Sequence, residues 1–398
     1  VRKDSVLISG IGIAGPALAY WLREHGYEPT LVERAPHPRN SGYVIDFWGA
    51  GYDIAGKMGL LPGLKRECYA VEEVRFVDAK GHRISSLDVD VFRSLTGGRY
   101  ISIPRADLAR LLLEKVMDRC EIIFGGEIAA IEQTDKKARV AFKQGTERQF
   151  DLVIGADGLH SRVRNLVFGN RHRYERYLGY VAAAFEAEGY RPRDEGVYVS
   201  YAVPGKQVSR FALRDDRTLF FFIFAALPDV CSTRDAAAQR ALLREEFGGI
   251  GWECPNILAA IDDKDLYFDR VSQIELCTWS QGRVALIGDA AFCPSLLAGQ
   301  GAALAMLSAY VLAGELTERA GQPEAAFQRY EQLLRPLIAS KQRAARRFAG
   351  SFAPKTAFGV FLRNQLIKFV PRSLLARAAL GSLADRIKLP DYSGHSGG

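Results

Sequence analysis

The stretch Val6-Leu-Ile-Ser-Gly-Ile-Gly-Ile-Ala-Gly-Pro16 constrains the fold of this chain more than any other. Val6 to Ile8 is a short apolar run suited to a buried parallel strand. Gly10, Gly12 and Gly15 follow in G-x-G-x-x-G spacing. Pro16 suits the first position of a helix, where the backbone N–H needs no partner. Ala17 to Gly26 reads as that helix, with Leu18, Trp21 and Leu22 on one face, and Pro29 to Val32 as a second strand ended by Glu33. Glycines let the backbone turn tightly and approach a pyrophosphate. The helix N-terminus favours negative charge, and an acid at the second strand's end accepts from ribose hydroxyls. The glycine motif alone is weak evidence; strand, helix, strand and acid in register make a dinucleotide-binding unit.

Two later strands end in a similar way. Asp151-Leu-Val-Ile-Gly155 leads into Ala156-Asp-Gly-Leu-His-Ser161, and Arg283 to Ile287 leads into Gly288-Asp-Ala-Ala291. Ligands bind outside the carboxyl ends of parallel strands, so three such turns can converge on one long cofactor. Leu297-Ala-Gly-Gln-Gly301 opens an alanine-rich helix over 300–316. Its bare glycine N–H groups suit a group that becomes anionic.

Between these motifs the pattern changes. Residues 174–280 are rich in Tyr, Phe and Val, with one helical stretch from Arg234 to Phe247, which predicts an inserted, mostly antiparallel sheet. Val74–Asp78 and Arg83–Leu87 flank Ala79-Lys-Gly-His82 as a hairpin, and Ala129–Gln133 pairs with Arg139–Lys143. Helices are expected over 52–58, 104–119 and 324–349, the last bent near Pro336. Phe358, Phe361, Leu362, Leu366 and Phe369 recur at helical spacing, with Arg363 and Lys368 on other faces. The expected fold is α/β: a Rossmann-like cofactor domain from 1–72, 99–173 and 281–348, an inserted antiparallel substrate domain from 73–98 and 174–280, and a C-terminal helical segment over 349–398.

Composition narrows the partners. The longest apolar run, Leu219 to Leu227, is too short to span a bilayer. Six irregularly spaced cysteines without a C-x-x-C pair read as reduced thiols of a cytoplasmic protein and argue against structural zinc. The net charge is +7, yet ten Lys or Arg and no acid lie between Gln332 and Ala384, so the rest of the chain is on balance acidic. Such a stripe suits nucleic acid, an anionic membrane, an anionic ligand or simply a solvated face. No nucleic-acid partner is expected, and a monomer is. The C-terminal segment stays open between a lid, a dimer contact and a peripheral membrane helix. A lid is favoured, because its apolar face needs a partner.

Taken together, Gly10 to Gly15, the motif Gly155-Ala-Asp-Gly-Leu-His-Ser-Arg-Val-Arg164 and the motif at 288–291 resemble the class A FAD-dependent aromatic monooxygenases, with the p-hydroxybenzoate hydroxylase-like fold. Glu33-Arg34, Gly42-Tyr-Val-Ile-Asp46, Pro104-Arg-Ala-Asp-Leu108, Ala298-Gly-Gln-Gly301 and Leu389-Pro-Asp-Tyr392 are most similar to the tetracycline-inactivating members. The resemblance implies that Gly10, Gly12, Ala14 and Gly15 bind FAD with Glu33 at the adenosine ribose, Arg34 over the adenine and Asp46 near the isoalloxazine. It puts Arg105 at the ribityl or phosphate region, Asp289 after Gly288 at the ribityl chain, and Gly299, Gln300, Gly301 and Ala302 along the flavin pyrimidine. Asp157, with Arg162 and Arg164, would support FAD and nicotinamide-cofactor use. The family usually has His after G-D-A-A and a Pro-Pro pair before the glycine loop. Here Phe292, Cys293 and Pro294-Ser-Leu-Leu297 stand instead, which leaves the shape of the oxygen-reaction pocket open.

The implied activity is NAD(P)H- and O2-dependent hydroxylation of a phenolic or polycyclic aromatic, a tetracycline among the candidates, through a C4a-hydroperoxyflavin. NADPH or NADH would bind transiently, since no second glycine fingerprint is present. The cofactor carries the hard chemistry, so no catalytic triad or metal is needed; only Asp46 is expected to assist. Tyr198, Tyr201, Phe211 and Phe222 are candidate substrate contacts, although strand aromatics commonly serve as core. Cys293 and His160 are assigned no catalytic role. The alternatives are a flavin reductase or halogenase on the same fold, or an anionic-surface binding protein using residues 332–384. Gly251-Trp-Glu-Cys-Pro255 lacks the Trp-x-Trp-x-Ile-Pro pattern of a halogenase.

Overall fold

The computed structural model describes residues 4–38, 42–169, 173–228, 235–261, 265–370, 374 and 389–392. Ser41, Cys231, Arg234, Arg372 and Arg377 lie outside the described residues.

The first strand, Ser5–Ser9, lies inside a six-stranded sheet. Across that sheet the order is Ser280–Gln281, Val284–Leu286, Leu152–Gly155, Ser5–Ser9, Glu28–Glu33 and Glu121–Phe124. All neighbours are parallel except the first pair. Val6, Leu7, Ile8, Val153, Ile154, Val284 and Leu286 are fully buried, as strands covered on both faces must be. Asp151 ties two strand starts together, accepting from the Ser5 N–H at 2.9 Å and the Ser5 hydroxyl at 2.8 Å while Lys137 pairs with it at 2.7 Å. The helix Gly301–Glu318 is apolar around almost its whole circumference and runs through the core.

The Tyr/Phe/Val-rich region forms a seven-stranded sheet in the order Tyr267–Ile274, Glu175–Glu188, Arg217–Ala225, Lys206–Ala212, Val197–Val203, Glu73–Val77 and Arg83–Asp88. Its pairings are antiparallel except Val197–Val203 on Glu73–Val77. The expected hairpin at 74–87 is therefore part of this larger sheet. One face carries Phe185, Phe220, Phe222, Phe224 and Tyr201 against the helices Ala236–Phe247 and Cys254–Ala259. The other carries Tyr198, Phe211 and Leu219 toward the parallel-sheet body. The expected pair at 129–143 is present within a small antiparallel sheet.

Several local expectations change. The glycine-motif helix begins at Ala14, two residues before Pro16, and the helix after Pro104 ends at Glu114 rather than near 119. Leu61–Glu67 forms an unforeseen helix with Pro62 in its first turn. Val44–Trp48 pairs with Tyr100–Pro104 as an unforeseen two-stranded ribbon. The helical span after Gln322 runs from Pro323 to Phe352 through Pro336. The last long helix, Ala357–Phe369, begins at Thr356, whose hydroxyl accepts from the Gly359 N–H at 3.0 Å. It packs on the strands Arg83–Asp88 and Val197–Val203. Its apolar face points outward rather than closing on the body.

Candidate active site

The glycine turn is built by backbone contact. Gly10 has φ of +107°, and its N–H donates to Val32 O at 2.7 Å. A Cβ on Gly15 would lie 1.9 Å from Gly10 O, so the helix can approach the turn only without a side chain there. Ala14 packs on the third motif: a Cβ on Gly288 would sit 3.2 Å from the Ala14 methyl. Glu33 stands at its strand end and accepts from the Ile11 N–H at 3.2 Å and the Ala35 N–H at 3.0 Å. Arg34 is exposed beyond it.

Arg105 follows the ribbon and begins the helix Arg105–Glu114; its N–H donates to Tyr43 O at 3.0 Å. Its guanidinium reaches the glycine turn, with Nη2 3.8 Å from where a Gly12 Cβ would stand. It also acts electrostatically on Asp289 and Tyr43. Burial raises the Asp289 carboxyl, opposed by Arg105 and by a hydrogen bond from the Cys293 thiol. A Cβ on Gly301 would lie 3.8 Å from Asp289 Oδ1, so Asp289 faces the start of the long buried helix. Gly299 has φ of +63° with open space where a side chain would point, and Gln300 is buried. The bare main chain at Gly12 thus lies beside the Arg105 cation, and that at Gly301 beside the Asp289 carboxylate. That spacing lets a phosphate and a polar ring edge approach backbone N–H groups.

The ribbon supplies another wall. Strand alternation turns Ile45, Phe47, Ile101 and Ile103 into the core. Asp46 and Trp48, paired across from Ser102 and Tyr100, occupy the opposite face. Ser102 Oγ donates to Asp46 Oδ1 at 2.8 Å, and the Tyr100 hydroxyl also bonds this carboxylate. Burial raises Asp46 above the usual carboxylate range against those two bonds. Asp46 is nevertheless exposed to solvent in this structure, which weakens that shift. Tyr43 lies 5.7 Å from Phe221 and 5.3 Å from Tyr267, ring to ring, and burial pushes its hydroxyl up to about 12. A cavity of about 260 Å³ opens beside Arg105, reaching Glu186 and Arg217 on the large sheet.

The four candidate aromatic contacts separate. Tyr198, half-buried on the side of the ribbon, stacks on Phe211 at 4.6 Å and feels the charge of Asp46, while Phe211 itself is fully buried as core. Tyr201 and Phe222 lie on the opposite face as core, beside Trp252 and Phe247. Three residues of separation along one strand put Tyr198 and Tyr201 on opposite faces.

Asp157 is occupied by its own helix. It accepts from the Arg162 N–H at 2.7 Å, the Val163 N–H at 3.2 Å and the Ser161 hydroxyl. Arg164 is fully buried and donates to Leu159 O at 2.6 Å and Ala290 O at 2.8 Å, joining the second motif to the third. His160 Nε2 meets both Asp269 oxygens at 2.9 and 3.0 Å, bridging to the large sheet.

The loop before Gly299 is held from behind. Gln273 Nε2 donates to Pro294 O and Gln342 O, both at 2.9 Å, and Gln342 Nε2 to Ile274 O at 2.8 Å and Phe292 O at 3.2 Å. Ser295 adopts φ of +93°, a strained position for a non-glycine residue, directly after Pro294. Cys293 is buried, and burial drives its thiol well upward, which suits packing rather than nucleophilic attack. Gln273, Gln342 and Asp269 carry no local motif; each meets the site only through the tertiary fold. Among the described residues no cluster of His, Cys, Asp and Glu could hold a metal ion, and no helix is long and apolar enough to cross a membrane.

The FAD binding domain family matches residues 3–340. A flavin-dependent monooxygenase from an unknown prokaryotic organism is 34% identical over 403 residues, covering 98% of this chain and 100% of that relative. Another, from Legionella longbeachae, is 32% identical over 396 residues, covering 98% and 99%. The crystal structure of tetracycline destructase Tet(55) superposes with a TM-score of 0.84 at 34% identity, covering 98% of this chain and 99% of that one. The expectations of an α/β Rossmann-like fold, of FAD and of monooxygenase chemistry are borne out. The chain belongs to the FAD-binding family of flavin-dependent monooxygenases.

Proposed function

We propose that the enzyme hydroxylates a phenolic or polycyclic aromatic molecule between the ribbon and the large sheet, with a tetracycline as the first substrate to test. One observation carries this reading: the Asp46 carboxylate, held by Ser102 and Tyr100, is open to solvent on the ribbon face that meets the half-buried Tyr198 of the large sheet. A carboxylate beside an aromatic ring suits a flat substrate ring that carries a hydroxyl. The kinship with Tet(55) favours the tetracycline class.

In this reading Gly10, Gly12, Ala14 and Gly15 receive the FAD pyrophosphate with Arg105 as counter-charge. Glu33 takes the adenosine ribose, Arg34 covers the adenine and Asp289 accepts from the ribityl hydroxyls. Gly299 to Ala302 offer main-chain donors and a helix N-terminus to the pyrimidine edge. When bound, FAD supplies the redox chemistry that activates O2 with electrons from NADPH or NADH. Asp46 accepts the substrate's hydroxyl hydrogen bond and orients the ring, and Tyr198 packs along it. Asp157 supports the cofactor by fixing its own helix. Residues 1–72, 99–173 and 281–348 serve the cofactor, and 73–98 and 174–280 the substrate, in a cytoplasmic monomer.

The test is substrate-stimulated NADPH and NADH oxidation across tetracyclines, simple phenols and anthraquinones, with mass spectra of the products. Addition of one oxygen atom to a member of these classes supports the reading. Uncoupled oxidation with every aromatic, and no oxygenated product, rejects it.

A further inference from the structure

The helix Ala357–Phe369 is seated with its apolar face outward. Phe358, Phe361, Leu362, Leu366 and Phe369 are 71%, 57%, 45%, 47% and 71% exposed. At about 100° per residue they share one face of a three-turn helix. The inward side holds Arg363, whose guanidinium lies 4.8 Å from the Phe76 ring centre and donates to Gln207 Oε1 at 2.8 Å. The helix is thus anchored to the large sheet by a charged residue, while its large apolar side chains face away. Five large apolar side chains exposed together on one helix face mark an interaction site.

The charge around the patch selects the partner. Lys355 and Lys368 are exposed at its flanks, and no acidic residue occurs from 332 to 384. A second copy pairing on this face would set lysines against lysines with no acid on either segment to offset them. An apolar helical face with a basic rim fits a lipid surface bearing negative headgroups. We propose that this helix docks the enzyme on anionic membranes, with its five exposed Phe and Leu side chains entering the headgroup–acyl boundary.

The experiment uses the full-length, flavin-loaded enzyme in co-sedimentation with phosphatidylcholine vesicles and with phosphatidylcholine–phosphatidylglycerol vesicles. The expected result is pelleting with the anionic vesicles, weakened by raised salt. Phe361→Ser/Phe369→Ser and Lys355→Glu/Lys368→Glu should each reduce binding at least tenfold, with unchanged flavin content. Wild-type protein that stays in solution with anionic vesicles overturns the proposal. So does equal binding to neutral vesicles, or binding that survives the phenylalanine changes. A concentration-dependent dimer abolished by the same phenylalanine changes, without vesicle binding, assigns the face to a second copy instead and also overturns it.

Discussion

The ring of Tyr392 occupies the space that a side chain at Gly314 would need. A Cβ there would come within 2.2 to 2.4 Å of three ring atoms. The Tyr392 hydroxyl donates to Glu315 Oε1 at 2.7 Å, and the Tyr310 hydroxyl to Pro390 O at 2.8 Å. The segment 389–392 is thereby fastened to the helix that begins at the glycine loop. Gly314→Ala should expel the ring and destabilise the fold by about 1–3 kcal/mol, the usual cost of overpacking. Tyr392→Phe should cost about 1–2 kcal/mol through the lost bond to a buried carboxylate. Thermal unfolding checks both, and a Gly314→Ala protein as stable as wild type contradicts the contact.

Gly15→Ala tests the cofactor turn. Its methyl would collide with a main-chain oxygen that cannot rotate away. The helix must retreat, and flavin retention should fall about tenfold or more, by analogy with other overpacked positions. The absorbance of the purified protein in the flavin bands gives the answer directly.

Asp289→Ala removes the carboxylate beside Arg105 and Gly301. Flavin affinity should drop while far-ultraviolet circular dichroism stays unchanged. Wild-type flavin content in this variant would contradict the ribityl assignment.

Asp151 predicts a pH dependence. Burial pulls its carboxyl upward, but Lys137 and Ser5 together outweigh that and hold it below the usual value. A carboxyl lowered in the folded state stabilises it above the unfolded value of about 3.9. That contribution is lost as pH falls through the folded-state value. Asp151→Asn should therefore be less stable than wild type at neutral pH, by about 1 kcal/mol or more, and the gap should close in acid. Urea unfolding at a series of pH values measures it, and a pH-independent gap would refute the ionic origin.

Tyr198→Phe and Tyr201→Phe separate the two faces of the large sheet. The first should change KM and the coupling of NADPH oxidation to product, because Tyr198 lies on the side of the ribbon near Asp46. The second should leave both unchanged.

Local signals reached far into this fold. The parallel strands announced themselves through apolar runs ending in glycine, because both of their faces are buried. The ribbon did not. Its strands meet across 56 residues, as the Ser102–Asp46 bond measures, and each is five residues long. The first reads locally as a continuation of a glycine-containing loop, and the second as the approach to a helix. The assignment of Asp157 followed its neighbours in sequence, whereas its carboxylate is taken up by three donors of the next helix. The His160–Asp269 bridge spans 109 positions and leaves no local trace. The aromatic strands revealed their sheet but not which ring faces the ribbon, because both faces of that sheet are apolar.

The ribbon Val44–Trp48/Tyr100–Pro104 has a consequence for how such an enzyme can diversify. Phe47 and Ile103 are locked into the core, while Asp46, Trp48, Tyr100 and Ser102 belong to the other face of the same strands. Alternate positions are thus under different constraints. Phe47 and Ile103 answer to the core of the parallel-sheet body, Trp48 and Tyr100 to the aromatic cluster of the large sheet, and Asp46 alone of the six is open to solvent. One short ribbon thereby couples the packing of both sheets, and Asp46 is the position on it that can vary without disturbing either core.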